Sequence, residues 1–135
     1  MRVYLPSNVA DLESLSSPVA TLSGRVGFSL LPEWIKGQSE QDPEVLEHEL
    51  LMLAALASLE NGRRVVIVAD LPVSEIDPSK AQVKVPAFGS QQILAYFTDD
   101  RLNLTAILAG EDPQELALTW FGPGEIQEIL DFIQP

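Results

Sequence analysis

Arg63-Arg64-Val65-Val66-Ile67-Val68-Ala69-Asp70-Leu71-Pro72 decides how the chain is read. Its four consecutive β-branched residues restrict χ1 and crowd a helix, so they favour extended backbone. An unbroken apolar run of this length, with no polar alternation, reads as a strand covered on both faces. Asp70 then falls at the strand's carboxyl end, the edge where α/β sheets hold their ligands. Arg63 and Arg64 sit at the preceding turn, where they are expected to meet the negative end of the helix before them.

That helix is the clearest in the sequence. Asp42 is a good N-cap, Pro43 suits the first helical position, and Glu44 and Glu47 favour the positive helix end. Asn61-Gly62 is its natural stop, because both residues tolerate left-handed geometry. From Leu50 to Ala57 the helix is apolar all round, more than one sheet face can cover. The surplus face goes either beneath other helices or into a subunit interface, so a homo-oligomer formed through Leu50–Ala57 is one expectation.

Outward from this pair the pattern continues. Arg2 to Leu5 reads as a strand stopped by Pro6, and Ser7 as the cap of a short helix to Leu15 with Val9, Leu12 and Leu15 on one face. Arg25 to Leu30 is a further strand, followed by a turn or short helix with Trp34 and Ile35. Beyond Asp70, Pro72 and Pro78 mark a loop. Gln82 to Val85, Ile93 to Thr98 and Leu116 to Phe121 read as strands. Asp99-Asp100 would cap a helix to Ala109, and Glu125 to Ile133 forms the last helix. The order predicts an α/β (α+β) single domain over residues 1–135, a mixed sheet of five or six strands packed with helices.

Composition narrows the function classes. The chain has 135 residues, enough to bury a core without disulfide or metal staples, and it has no cysteine. Twenty acidic against eight basic side chains leave a net charge of −12. Such a surface repels phosphate backbones and anionic bilayers, so neither nucleic acid nor a membrane is an expected partner. No apolar run reaches the roughly 20 residues of a bilayer span, and the first residues have no signal-peptide core. A cytoplasmic location is therefore expected. Asn103-Leu104-Thr105 matches the N-glycosylation pattern, which is incidental without a secretion route.

Candidate chemistry is sparse. His48 is the sole histidine, and His48-Glu49-Leu50-Leu51-Met52 puts methionine where a zinc-protease helix needs its second histidine. Glu44 and His48, one turn apart, are expected to form a surface pair, with a metal ligand pair as the alternative. A magnesium role for Asp70 of the nucleotide-hydrolase kind needs a glycine loop with lysine, and Gly24-Arg25-Val26-Gly27 supplies neither spacing nor lysine. Asp70, Asp99 and Asp100 are the candidate metal ligands: parallel neighbouring strands would bring both carboxyl ends to one edge. Each also has a plainer reading as a turn or cap residue. No catalytic set is assembled, and the sequence leaves any cofactor unknown. Trp34, Trp120 and Phe121 would fill core or line a pocket.

Four segments carry a resemblance: Met1-Arg2-Val3-Tyr4-Leu5-Pro6, Arg63 to Pro72, Phe97-Thr98-Asp99-Asp100, and Leu118-Thr119-Trp120-Phe121. In this order the chain resembles a family of small actinobacterial proteins described as a domain of unknown function, over most of its length. It departs from that family in Phe121, where tyrosine is common, and in carrying less alanine and arginine. The resemblance implies a bacterial cytoplasmic setting and transfers no site residue. The function expected is a non-catalytic module that binds another protein or itself. The alternatives are a small metal-dependent enzyme acting on an anionic small molecule, and a ligand sensor using a pocket near Trp120.

Overall fold

A computed structural model describes residues 1–134. The decisive stretch forms β3 (Val65–Asp70), flanked by β1 (Arg2–Pro6) and β6 (Ile93–Thr98). Val65, Val66, Ile67 and Val68 are all buried, as a strand covered on both faces requires. The other strands are β2 (Val26–Phe28), β4 (Ser74–Asp77), β5 (Gln82–Lys84) and β7 (Thr119–Phe121). One sheet takes all seven, in the order β4-β5-β2-β1-β3-β6-β7.

The architecture is α+β, but the expected mixed sheet of five or six strands is corrected to seven strands, every pairing antiparallel. Two differences explain the count and character. β4 lies between Pro72 and Pro78 and reads as loop, yet it pairs with β5 at a sheet edge, where proline-bounded short strands are tolerated. β1 also inserts between β2 and β3, so both of its neighbours run against it.

Alternation along the strands splits the core into two layers. Val3, Leu5, Val65, Ile67 and Tyr96 face one side, where Leu12 and Leu15 of α1 (Val9–Leu15) meet Ile129 of α5 (Ile126–Ile133). Tyr4, Val66, Val68 and Ala95 face the other, against Trp34 of α2 (Pro32–Lys36) and the inner residues of α3 (Pro43–Ser58). α4 (Arg101–Leu108) is peripheral and buries none of its residues.

Local chemistry sets the element ends. Asn8, not Ser7, caps α1, its side chain accepting from the Asp11 amide at 2.8 Å. Ser7 is instead buried and donates to the Leu5 carbonyl. Asp42 caps α3, its side chain accepting from the Glu44 amide at 3.0 Å, with Pro43 next to it as expected. At the far end the Ser58 hydroxyl donates to Ala55 and accepts from the Val65 amide at 2.9 Å, which feeds the helix directly into β3. Gly62 makes the intervening turn at φ 93°, where a side chain would be strained. No described helix is long and apolar enough to cross a membrane.

Candidate functional site

The structure does not gather Asp70, Asp99 and Asp100. β3 and β6 are antiparallel, with Val65 opposite Thr98, so Asp99 and Asp100 follow β6 at the edge where β3 begins. Asp70 is at the other end of β3, roughly 20 Å away at 3.4 Å per residue. The parallel arrangement that a shared metal site required is absent. Among the described residues no three carboxylate or imidazole groups are placed to hold a metal ion.

Each aspartate has a local task. Asp70 is exposed and accepts from the Met1 ammonium at 2.9 Å. That bond and the ammonium charge hold its pKa below the usual carboxylate value. Asp100 caps α4 through the Asn103 amide at 2.7 Å. Asp99 is fully buried and paired with Arg64, itself buried, Nη2 to Oδ1 at 2.5 Å and Nε to Oδ2 at 3.0 Å. Arg64 does not meet the end of α3, as its position suggested. Its remaining donors go to the carbonyls of Pro113 and Leu116 at 2.7 and 3.0 Å. Asn103 also donates to Asp99, at 2.9 Å, and to the Ala117 carbonyl at 2.7 Å. This fully bonded cluster clamps the connection between α4 and β7 onto the start of β3. Arg63 donates to the Asp99 carbonyl, and burial lowers its pKa against the pull of the Asp99 and Asp100 charges. Both oxygens of Asp99 are therefore engaged by protein donors.

What is left open is apolar and centres on α3. Leu46, Leu50, Leu51, Ala54 and Ala55 go inside. Part of the surplus predicted from Leu50–Ala57 stays outside: Leu53 and Leu56 are 38% and 47% exposed and Met52 is half-buried, while Val45, earlier on the helix, is 41% exposed. Spacings of four, seven and eleven residues place Val45, Met52 and Leu56 along one outer line. His48 is exposed on the same helix and makes no ion pair with Glu44 among the described residues. A shallow depression of about 420 Å³ beside it is lined in part by Trp34, His48, Met52 and Leu53.

A second opening lies on the other flank of α3. That helix covers β1, β2 and β3, and beyond them a groove of about 280 Å³ runs over Val68, Ala95 and Phe97 to Trp120, with Leu51 as its wall. Trp120 is 59% exposed, and Trp34, the other tryptophan, is core. The rim holds Arg2 and Glu47, paired at 3.1 Å, and Tyr4. Burial, then the Glu47 charge, raises the Tyr4 pKa, with Arg2 acting against both. Of Trp34, Trp120 and Phe121, read as core or pocket lining, only Trp120 lines this groove. The groove's polar rim was not legible in the sequence, because Arg2 and Glu47 meet only when β1 is placed under α3.

Comparison with known proteins adds one finding and two absences. No curated protein and no solved structure is similar enough to match. Residues 1–130 match the model of the Family of unknown function (DUF6912), and with all but the last few residues covered, the chain belongs to that family.

Proposed function

We propose that the protein is a non-catalytic interaction module, which uses the outer face of α3 to pair with a second copy of itself or with another protein. The observation that supports it is the outer face of α3, where Val45, Met52 and Leu56 align and Leu53 is exposed beside them, on a helix whose inner face is already fully used. Exposed apolar side chains gathered on one helix face mark interaction sites. An assembled catalytic group is not what surrounds it: the buried ionisable pair, Arg64 and Asp99, is saturated by hydrogen bonds.

Leu53→Glu with Leu56→Glu tests the proposal. Light scattering of the untagged protein is expected to show an oligomer that the double variant converts to a monomer, with circular dichroism and Tm preserved. If the native chain is a monomer, wild-type protein is expected to retain a partner by affinity capture that the double variant loses. A variant that unfolds, or one that keeps every association of the wild type, overturns the proposal.

A further inference from the structure

We propose that the chain forms a two-fold dimer through the free edge of β7, joining two seven-stranded sheets into one continuous sheet. The proposal goes beyond the α3 reading and uses none of its residues.

β4 and β7 are the two edges of the sheet, and they differ. β4 is guarded: Pro72 and Pro78 flank it, it carries Glu75 and Asp77, and its register against β5 shifts between those two residues. β7 has none of these devices. From Leu116 to Phe121 there is neither charge nor proline, and the pairing with β6 runs without a shift. Thr119, Trp120 and Phe121 are also strong strand formers.

The ladder fixes which groups this edge presents. The Ser7 amide donates to the Val65 carbonyl and the Leu71 amide to the Met1 carbonyl, so Val65, Ile67 and Ala69 bond to β1. Antiparallel bonding alternates along a strand. Val66 and Val68 therefore bond to Phe97 and Ala95, and Tyr96 and Thr98 turn to Phe121 and Thr119. That leaves the N–H and C=O of Trp120 aimed away from β6. Gly122 shares this outward phase, and there the protein closes the edge itself. The Glu125 carboxylate accepts from the Gly122 amide at 2.6 Å, and the Glu125 amide donates to the Gly122 carbonyl at 3.1 Å. The outward backbone groups of Trp120, and those of Leu118 before it, find no such partner among the described residues.

Unpaired backbone groups on a strand edge are met by another strand, and a second β7 fits in register. With the two-fold axis at Thr119, Leu118 of each copy exchanges backbone bonds with Trp120 of the other, and Thr119 faces its own counterpart. Thr–Thr pairs are favourable across strands. Leu118 and Trp120 share the sheet face towards α3, so each indole, 59% exposed in a single copy, is covered by Leu118 of the other. Charge favours this occupant as well. Copies with a net charge of −12 repel in most orientations, but here they meet along an uncharged strand. The nearest carboxylates, Glu115 and Glu125, lie outside the paired residues, and Glu125 is held by Gly122.

The test uses the full chain. Light scattering over a concentration series is expected to show a monomer–dimer equilibrium, and hydrogen exchange to show the Trp120 amide gaining protection as the dimer fills. Trp120→Pro removes an N–H that β6 does not use, so it is expected to keep the circular dichroism of the wild type and stay monomeric. Thr119→Lys and Thr119→Glu each set like charges face to face and should weaken the dimer roughly fivefold or more. An equimolar mixture of the two should restore it, which keeps the test decisive where Trp120→Pro fails to fold. A monomer at every concentration overturns the proposal and leaves the edge to a strand of another protein. So does a dimer that Thr119→Lys leaves intact, or a Lys–Glu mixture no tighter than either variant alone. A dimer that Leu53→Glu with Leu56→Glu dissociates and Thr119→Lys does not belongs to the α3 face, and overturns this proposal alone.

Discussion

Asp99 shows what one residue does when its neighbours are known. Its carboxylate takes donors from the Arg64 side chain and backbone and from Asn103, with no solvent reaching either member of the ion pair. Removing one partner of a buried pair strands the other charge, so Asp99→Ala is expected to cost about 3–5 kcal/mol in urea unfolding. Arg64→Met with Asp99→Leu should lose clearly less than the sum of the single changes; strict additivity would show that the pair does not act as a unit. The same cluster explains Asn103, whose amide nitrogen is occupied by Asp99 and Ala117 within a glycosylation-like triplet. Local pattern marked the Asp99-Asp100 pair as a helix cap, and Asp100 is the residue that caps. It had no means of finding the Arg64–Asp99 pair, because the two are 35 positions apart and meet only through the β3–β6 pairing.

At the scale of elements, the strongest constraint is the close approach of β1 and β2. A Cβ added to Gly27 would stand 2.7 Å from the Tyr4 carbonyl oxygen and 2.8 Å from Val3 Cγ1. Backbone cannot step aside as a flexible side chain does, so Gly27→Ala should push the strands apart and cost about 1–3 kcal/mol. Urea midpoints check this; an unchanged value would mean that β2 shifts freely. Helices and interior strands were legible because each repeats a period over many residues: β3 in its unbroken apolar run, α3 in its cap and glycine stop, α5 in Ile126, Ile129, Leu130 and Ile133. The edge strands were less so: β4 reads as loop, and β7 was read as a strand but begins at Thr119, not Leu116, whose carbonyl accepts from Arg64.

For the molecule as a whole, the stability dome is expected to close on the alkaline side through its buried phenols. Burial raises the pKa of Tyr96, and burial with the Glu47 charge raises that of Tyr4. A folded-state pKa above the unfolded value of about 10 means the native state holds its proton longer. That stabilisation is complete below about pH 10 and is lost as pH rises through the folded values, while new phenolates add to a net charge already at −12. Urea midpoints should therefore fall as pH rises above about 10, together with the appearance of phenolate absorbance. Tyr96 is fully buried and its hydroxyl has no hydrogen-bond partner among the described residues. Tyr96→Phe should thus gain up to about 1 kcal/mol at neutral pH and soften the alkaline fall. A large loss would instead show that the hydroxyl is bonded.

The sequence by itself determined where the chain extends, where it coils, and that one helix carries more apolar surface than a sheet can cover. These follow from steric and hydrophobic preferences acting over a few consecutive residues. Only the tertiary structure decided that Asp70 and Asp99 stand at opposite edges, that Arg64 is buried, and that Leu53, Leu56 and Trp120 face outward. Each of those depends on which strands pair and in what direction. Pairing is chosen by the joint burial of residues far apart in the chain, so no local window contains it.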